Sequence, residues 1–457
     1  MAVSTASPSP AATDATSRSR AGGTLSWPAI FRLGLVQTAL GGVVVLMTST
    51  LNRVMVVELA LPALVPGLLV AIHYAVQVLR PRWGYGSDRT GRRTPWILGG
   101  MAALCLGGFG AACGTALAQT HLAAGLALAA LSFLLVGLGV GAAGTSLLVL
   151  LAGGVAPARR GAAATVVWVM MIVGFALTAP LAGHFLEPFS VTRLMAVSGA
   201  VSLIAFCLAA LAVGGVEARL PAPRPEAAEA KAPFGAVLKK VLADPVARRF
   251  TVFVFVSMLA YSAQELILEP YAGLVFGLGP GATTKLAGLQ HGGVLAGMLL
   301  VAGVTLMAKG TALASLRLWT AVGCAASALA LFAIAAGGPS GLDFPLRGAV
   351  FALGLANGIY AVAAIGSMMA LAGRGGERER GTRMGVWGAA QGVAFGGGGV
   401  LGAFAVDAMR LVVGDPVQAY ATVFVAEGVL FLVAVAFALR TESAPASYPL
   451  DPALEAR

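Results

Sequence analysis

The sequence predicts an all-α integral membrane protein with twelve transmembrane helices in two pseudo-symmetric six-helix halves. Apolar residues make up 58% of the 457 residues and charged residues 11%, whereas a soluble domain has about a quarter charged residues. Twelve apolar stretches each supply the roughly 20 residues that a bilayer-crossing helix needs. A polar interval in mid-chain divides these stretches into two sets of six.

The first half follows a polar segment at 1–24, which we expect to be disordered because Ser, Ala and Thr dominate it. This segment lacks an apolar core followed by a cleavage site, so it does not have the pattern of a signal peptide. The unit 25–216 contains six predicted helices, at 30–57, 62–82, 95–118, 121–153, 162–186 and 191–215.

A linker at 217–249 joins the two halves, and its prolines and mixed charges predict an exposed connection. The second unit spans 250–440 and precedes a polar tail at 441–457, which we expect to be cytoplasmic. Its six predicted helices are 250–278, 284–307, 311–337, 344–373, 383–410 and 417–440.

The two halves resemble each other in sequence. Residues 68–73 align with 286–291 at an offset of 218, and residues 151–153 align with 371–373 at an offset of 220. Internal repeats of this kind place a binding site at their interface. All but five of the 30 Lys and Arg lie in the termini, the linker and the loops of one side. Since basic loops stay cytoplasmic, we expect both termini to be cytoplasmic.

A charged loop at 84–93 separates the second and third predicted helices. Its glycines permit a tight turn, its arginines stay at headgroup level, and its carboxylate can cap a neighbouring helix. The residues that carry the spacing are Gly84, Asp88, Arg89, Gly91 and Arg92. This spacing resembles the loop motif of major facilitator transporters, and the resemblance implies the major facilitator fold.

Ionisable residues inside apolar spans are the first candidates for function, because each costs about 2.5–3.5 kcal/mol near the bilayer centre. Helices one and seven, which face each other in the fold that the loop implies, contain Asn52, Arg53, Glu58, Gln264, Glu265 and Glu269. Glu265 and Glu269 are four residues apart and share a face. We hypothesise that Arg53 pairs with Glu265. Alternatively, these groups lie at the water interface and anchor the helix ends.

The eleventh predicted helix carries the most specific pattern. Residues 381–399 strongly resemble the PucC family, also called the bacteriochlorophyll delivery family. Three further segments match the pattern of that family, namely 50–59, 264–278 and 357–373. The compact loop at 84–93 is similar to the branch associated with bacteriochlorophyll synthesis, whereas antenna-linked members have a longer loop there.

The resemblance implies a multi-pass protein of the inner or intracytoplasmic membrane of phototrophic bacteria. It implies that the protein binds or delivers bacteriochlorophyll and supports the assembly of light-harvesting complexes. It also implies no intrinsic cofactor, bacteriochlorophyll a as the candidate cargo, and bacteriochlorophyll synthase or antenna polypeptides as candidate partners beside the lipid bilayer.

A flat macrocycle with a phytyl tail partitions into lipid, so its carrier needs a groove between helices rather than a water-filled path. Gly392 and Gly396 belong to a glycine-rich surface of the eleventh helix against which such a ring can lie. Trp387 and Phe395 are eight residues apart, on roughly one face, and are placed to flank the ring. Close helix packing explains the glycines equally well, and lipid contact explains the aromatic residues.

Two histidines occupy matching positions in the repeats, His73 in the second helix and His291 in the eighth. A neutral imidazole ligates the metal of a macrocycle through one ring nitrogen. Both residues are therefore candidate pigment ligands. The alternative is that each is a polar side chain hydrogen-bonded within the bundle.

No enzyme pattern is visible in the sequence. It has no Ser-His-Asp arrangement, no phosphate-binding loop and no metal-ligand spacing, so we expect neither catalytic residues nor a metal site. The net charge of +11 is spread over loops between spans and does not indicate nucleic-acid binding. Two function classes remain open: a pigment-handling assembly factor, and a proton-coupled transporter of a small solute that uses Arg53, Glu265 and Glu269.

Overall fold

The structure is a computed structural model that describes residues 25–79, 92–156, 159–219, 239, 243–308, 311–373 and 377–440. Across these residues the chain forms twelve membrane-type helices. In the first half they are α1 (Trp27–Glu58), α2 (Leu64–Ala75), α3 (Thr94–Leu117), α4 (Leu122–Gly154), α5 (Arg160–Phe185) and α6 (Val191–Val213). In the second half they are α7 (Pro245–Phe276), α8 (Pro280–Met307), α9 (Leu316–Gly337), α10 (Leu346–Gly373), α11 (Glu377–Val413) and α12 (Pro416–Arg440).

Eleven helices of the described chain are long and apolar enough to cross a membrane. The remaining one, α2, continues as a short 3₁₀ turn at Val76–Leu79, next to residues that the structure does not describe. The helical fold class predicted from the sequence is confirmed.

The helices pack in the same way in both halves. In the first half α1 packs on α5 and α6, α3 packs on α4 and α6, and α2 packs on α4. In the second half α7 packs on α11 and α12, α9 packs on α10 and α12, and α8 packs on α10. Each contact therefore recurs six helices later. Two extensive interfaces join the halves, one between α5 and α8 and the other between α2 and α11.

We name the two ends of the bundle by the chain. The terminal end carries the first residue of α1 and the last residue of α12, and the distal end carries the connection between α1 and α2. The interface of α2 with α11 is called the α2–α11 seam, and that of α5 with α8 the α5–α8 seam.

Helix α7 starts earlier than the predicted residue 250. Its first residue is Pro245, and the side chain of Asp244 accepts a hydrogen bond of 2.9 Å from the backbone N–H of Val246. An aspartate at the N-cap followed by proline is a strong helix start. The apolar pattern alone begins later, which explains the difference.

Glu217 connects the end of the first half to the start of α3. Its carboxylate accepts hydrogen bonds from the backbone N–H groups of Arg93 and, at 2.8 Å, of Thr94. Partial burial raises the pKa of Glu217, but the hydrogen bonds from Thr94 and Arg93 and the charge of Arg93 outweigh it. The pKa of Glu217 therefore lies below its ordinary value. The carboxylate also faces the positive end of the helix dipole.

Candidate functional site

The last part of α1 contains two π-helical segments, at Leu46–Leu51 and Val54–Glu58. Such wide turns are rare and frequently accompany functional sites. The Thr50 hydroxyl shares a hydrogen bond of 2.8 Å with the Thr284 hydroxyl of α8, and Asn52 Nδ2 donates a bond of 2.7 Å to the backbone oxygen of Leu266 in α7. The π-helical end of α1 thus ties the two halves together.

Arg53 is the centre of this contact and is 3% exposed. Its guanidinium forms an ion pair with Glu58 and donates a bond of 2.6 Å from Nη2 to the backbone oxygen of Leu278. It lies over Gly273, where a Cβ atom would stand 3.1 Å from both Nε and Nη2. The absent side chain at Gly273 leaves room for the guanidinium.

The hypothesis that Arg53 pairs with Glu265 is wrong. Arg53 is level with Gly273, and Glu265 lies eight residues earlier on α7. At 1.5 Å of rise per residue this separation is about 12 Å, too far for an ion pair. The actual partner, Glu58, is five residues from Arg53 on α1 itself.

Glu265 and Glu269 lie on the stripe of α7 that leads to Arg53. The Glu265 carboxyl interacts with the hydroxyl of Tyr261 one turn before it. The Glu269 carboxyl faces the hydroxyls of Ser49 and Thr283, with the charge of Arg53 nearby. Glu269 is 3% exposed, so it is an interior group, whereas the side chain of Glu58 is 34% exposed at the end of α1.

Gln264 lies on another face of α7 and is fully buried. Both polar atoms of its side chain lack a hydrogen-bond partner in the described part of the chain. Gln264 therefore lies apart from the stripe of α7 that carries Glu265 and Glu269.

An aromatic cluster lies nearer the terminal end of the stripe. The ring of Phe395 in α11 is 5.7 Å from the ring of Tyr74 in α2 and 5.7 Å from the ring of Tyr261 in α7. The ring of Tyr261 lies 6.3 Å from that of Tyr360 in α10. Phe395 thus stands between the α2–α11 seam and Glu265. Of this cluster the sequence analysis identified Phe395 alone.

The α2–α11 seam is closed at the distal end. Asp407 of α11 accepts hydrogen bonds of 3.0 and 2.8 Å from the backbone N–H groups of Ala63 and Leu64, at the start of α2. A Cβ atom on Gly67 would stand 3.1 Å from Ala403, and one on Gly396 would stand 3.3 Å from the Cβ atom of Tyr74. Contact therefore continues along α2 as far as Tyr74.

The seam opens beyond Gly396. Gly392 lies one turn nearer the terminal end on the same face of α11, it is exposed, and no described atom lies within 4 Å of a Cβ built on it. The next residue, Val393, is 66% exposed. Among the described residues, α11 thus has a surface without side chains at Gly392, next to its contact with α2.

The α5–α8 seam differs, because side chains of α5 fill it at several levels. A Cβ atom on Gly288 would stand 2.4 Å from Pro180, and the ring of Phe175 lies 4.8 Å from that of His291. Nearer the terminal end, Ile172 is buried in the core of the second half and Trp168 packs against that core. Side chains of α5 thus occupy this seam from Pro180 to Trp168, whereas no described side chain meets α11 at Gly392.

Some glycines of α11 pack closely against a neighbouring helix, and others form an open surface, which are the two roles that the sequence analysis considered. Gly398 packs against α7, since a Cβ atom there would stand 2.1 Å from Ser262 Oγ and 2.6 Å from the backbone oxygen of Leu259. Gly397, its neighbour, has no described atom within 4 Å of its built Cβ. Close packing and an open surface therefore coexist on one helix.

Trp387 does not flank a ring with Phe395, nor does it face lipid. It is fully buried, its ring lies 4.9 Å from that of Phe250, and its Nε1 donates a bond of 3.5 Å to the backbone oxygen of Ala247. Its eight-residue spacing from Phe395 leaves the two side chains about 80° apart around the helix. This angle is enough to turn Trp387 into the core.

Both candidate histidines are buried on helices that form the seams. His73 in α2 is 3% exposed, and its ring lies 4.9 Å from that of Tyr74. His291 Nδ1 lies 2.9 Å from the backbone oxygen of Ala287. A carbonyl oxygen only accepts, so Nδ1 carries the hydrogen and Nε2 of the neutral ring carries the lone pair. A backbone-oriented imidazole of this kind is typical of metal-ligating histidines.

The sequence analysis did not identify two carboxyl groups that lie inside membrane-spanning helices. Asp407 caps α2 from the other half. Glu427 in α12 is 3% exposed, and neither of its carboxyl oxygens has a hydrogen-bond partner among the described residues. The cost of an acidic residue inside an apolar span was a sufficient signal for both.

The charged loop motif falls mainly outside the described residues, which exclude Gly84, Asp88, Arg89 and Gly91. Arg92 is described and exposed, two residues before α3 begins.

Comparison with known proteins identifies the family. The sequence profile of the family described as "PUCC protein" matches residues 50–444. The chain is 53% identical, over 91% of its length and 95% of the relative, to a Rhodobacter capsulatus protein named "Bacteriochlorophyll synthase 44.5 kDa chain". It is 30% identical, over 90% of its length and 91% of the relative, to "Protein PucC" of Rhodobacter capsulatus.

Two solved structures share the architecture. A bacterial homologue of the human lysosomal transporter Spinster, in an inward-facing conformation, has a TM-score of 0.65, covers 91% of this chain and 98% of its own, and is 17% identical. A bacterial homologue of the human peptide transporters PepT1 and PepT2 has a TM-score of 0.66, covers 90% and 97%, and is 15% identical. At these identities they show the fold alone, which is that of major facilitator transporters. The chain is therefore a photosynthesis-related, multi-pass membrane protein with this fold, and it belongs to the PucC family.

Proposed function

We propose that this protein holds bacteriochlorophyll in the α2–α11 seam and passes it, within the membrane, to the proteins that build photosynthetic complexes. The observation that carries the proposal is the opening of this seam at Gly392, beside Tyr74 and Phe395. The match of the chain to the PucC family and the printed name of its 53% identical relative support the choice of pigment.

The chemistry of the seam fits a large apolar ring. A surface without side chains at Gly392 permits flat contact, and Tyr74 and Phe395 border it with aromatic rings. Aromatic rings prefer offset or edge-to-face contacts with one another, worth about 0.5–1.5 kcal/mol per pair. An opening toward the bilayer also lets a phytyl tail remain in lipid. The site is thus suited to lateral exchange.

A histidine is the candidate ligand of the ring magnesium. His73 lies on α2, the seam helix that also carries Tyr74. His291 has its Nδ1 oriented by the Ala287 carbonyl, which leaves the lone pair on Nε2. The two histidines belong to different seams, so substitution of each in turn distinguishes the sites.

The recipient is either bacteriochlorophyll synthase or an antenna polypeptide, and the name of the 53% identical relative favours the synthase. We place the protein in the inner or intracytoplasmic membrane with both termini cytoplasmic. The clustering of Lys and Arg at one side of the bundle supports this orientation.

The test is a near-infrared absorption spectrum of the full chain, purified in mild detergent from a phototrophic host that lacks antenna polypeptides. We expect about one pigment per chain. The variant Gly392→Leu fills the open surface with a side chain that meets no described atom, so it should lose most of the pigment at an unchanged melting temperature.

The matched control is Val393→Leu, because this neighbouring side chain is 66% exposed and lies off the seam face. It should keep the pigment. An unliganded protein, or equal pigment content in both variants, contradicts the proposed site. A band that shifts in His73→Ala but not in His291→Ala assigns the ligand to the α2–α11 seam.

The carboxyl stripe of α7 favours a second candidate function, a proton-coupled transporter of a small solute. Glu265 lies between the aromatic cluster and Glu269, where its charge state can respond to an occupant. In a coupled transporter, Glu265→Gln should abolish uptake driven by a pH gradient into proteoliposomes. A pigment carrier should keep its pigment in the same variant.

A further inference from the structure

A buried acidic group lies beside the ion pair of Arg53 without sharing in it. Glu269 Oε2 has no hydrogen-bond partner among the described residues, and the same holds for Ser49 Oγ and Arg53 Nε. Arg53 forms its ion pair with Glu58, whereas Glu269 interacts with the charge of Arg53 without a direct contact. Three buried polar atoms near this point thus have unused hydrogen-bonding capacity.

The guanidinium of Arg53 has two carboxyl groups within its influence. Its Nη1 donates to Glu58 and its Nη2 donates to the Leu278 carbonyl. No group in the described chain accepts a hydrogen bond from its Nε. A carboxylate in an apolar interior is costly unless it is paired, and an unpaired carboxyl takes up a proton instead. Glu269 is buried and has no ion-pair partner among the described residues, so its environment favours the neutral, protonated carboxyl.

Other charged groups on the surrounding helices do not supply a counter-ion. Lys285 of α8 is bound to Glu187 at 2.8 Å on the surface, and Asp407 of α11 is bound to the start of α2. Among the described side chains, the other charged groups on α7 toward Glu269 or on the helices packed against α7 are Glu265, Arg32, Arg347, Arg410, Glu427 and Arg440. Arg53 is the charged group that acts on the Glu269 carboxyl. Since Glu265 and Glu427 are themselves acidic, they do not favour the ionised form of Glu269.

We propose that Glu269 is a proton-binding site and that its charge selects the partner of Arg53. With the proton bound, Arg53 holds Glu58 and the Leu278 carbonyl, as seen here. When the proton leaves to water, the Glu269 carboxylate attracts the guanidinium and weakens its bond to Leu278. The contact between α1 and the turn that joins α7 to α8 then loosens.

Water reaches Glu58, the partner of Arg53, from the distal end. An open cavity of about 410 Å³ lies there, lined by Glu58, Leu59, Leu61, Ala118, Gln119 and Leu122. Glu58 contacts both this cavity and Arg53, and Arg53 in turn lies next to Glu269. Ser49 and Thr283 border the carboxyl on the inner side. Proton binding at Glu269 does not require pigment binding, and either property can be absent without the other.

The direct test is infrared difference spectroscopy of the full chain in lipid nanodiscs during a pH titration. The wild-type protein should lose a protonated-carboxyl C=O band as pH rises, and Glu269→Gln should lack this component. Glu269→Asp should retain a titrating band, shifted in frequency. The control Glu187→Gln removes an exposed carboxyl of the same end and should leave the band unchanged.

A second readout separates proton binding from a merely structural role. At one alkaline pH, amide hydrogen exchange of residues 277–283 should be faster in the wild type than in Glu269→Gln, which mimics the neutral form. A titrating band that is undiminished in Glu269→Gln overturns the proposal. So does the absence of any titrating band from Glu269, or equal exchange in the two proteins.

Discussion

At the scale of single residues, the site depends on how Arg53 is accommodated. Its guanidinium fits because Gly273 has no side chain and because Glu58 and the Leu278 carbonyl fix it from the other side. Hydrogen bonds to charged groups contribute about 1.5–3 kcal/mol each. A buried arginine with these partners stabilises the contact between the halves, although its burial is expensive in itself.

Gly273→Ala should therefore destabilise the protein. The added methyl group would stand 3.1 Å from Nε and Nη2, and the guanidinium is held too firmly to yield without weakening its bond to Leu278. We expect a loss of about 1–2 kcal/mol, measured as the shift in thermal unfolding in detergent. Gly292→Ala in α8, where nothing lies within 4 Å, is the control, and an equal melting temperature in both variants contradicts this role of Gly273.

The carboxylate of Glu217 makes stability depend on pH. Because its pKa is lowered in the folded protein, its contribution is present above the ordinary glutamate value and is lost as pH falls through the folded pKa. Glu217→Gln should be less stable than the wild type by about 1 kcal/mol at neutral pH. The two proteins should converge in acid. A difference that is constant with pH would show that the charge of Glu217 is irrelevant.

The sequence predicted part of the residue-scale picture. It identified Arg53, Glu58 and Glu269 from the cost of charge inside a span, and these three residues do lie together. It mispaired Arg53 with Glu265, because the register between α1 and α7 depends on the π-helical turns of α1. Each π turn shifts the register of a helix, and apolar periodicity does not reveal it.

At the scale of elements, α11 carries two kinds of glycine on different faces. Gly398, Gly399 and Gly402 let α11 approach α7, and Gly392 and Gly397 face open space. The sequence predicted both uses of a glycine-rich helix but did not assign them to positions. The assignment depends on which neighbour each face meets, and this is a property of the assembled bundle.

Adjacent glycines on α11 should therefore respond differently to alanine. Gly398→Ala places a methyl group 2.6 Å from the backbone oxygen of Leu259, which is unable to move without displacing α7. We expect a loss of about 1–3 kcal/mol in unfolding free energy. Gly397→Ala meets no described atom and should be neutral or slightly stabilising, since alanine favours helix. Equal effects in thermal unfolding would contradict the packing of α11 on α7.

At the scale of the whole molecule, the two seams break the pseudo-symmetry of the halves. The helix contacts repeat faithfully six helices later, yet side chains of α5 fill the α5–α8 seam at Pro180 and Phe175, whereas no described side chain meets α11 at Gly392. The twelve spans and their division into halves were predictable from apolar length and the linker. The asymmetry was not, because it depends on side-chain size at matching positions, such as Ile172, which is buried at the α5–α8 seam, against Gly392 at an offset of 220.

Asp407 should matter more for the association of the halves than the exposed pair of Glu187 and Lys285. It satisfies two backbone N–H groups at the start of α2, whereas the side chains of the exposed pair are 48% and 38% accessible. Exposed pairs contribute about 0–1 kcal/mol, so Asp407→Ala should lower the melting temperature more than Glu187→Ala. The reverse order contradicts the distal closure described here.

The most direct test of the central claim is an experimental structure of the full chain loaded with bacteriochlorophyll. The geometry predicts ring density in the α2–α11 seam, flat on α11 at Gly392 and bordered by Tyr74 and Phe395, with the tail directed to lipid. Ring density in the α5–α8 seam or between α1 and α7, or a loaded protein with an empty α2–α11 seam, would contradict it.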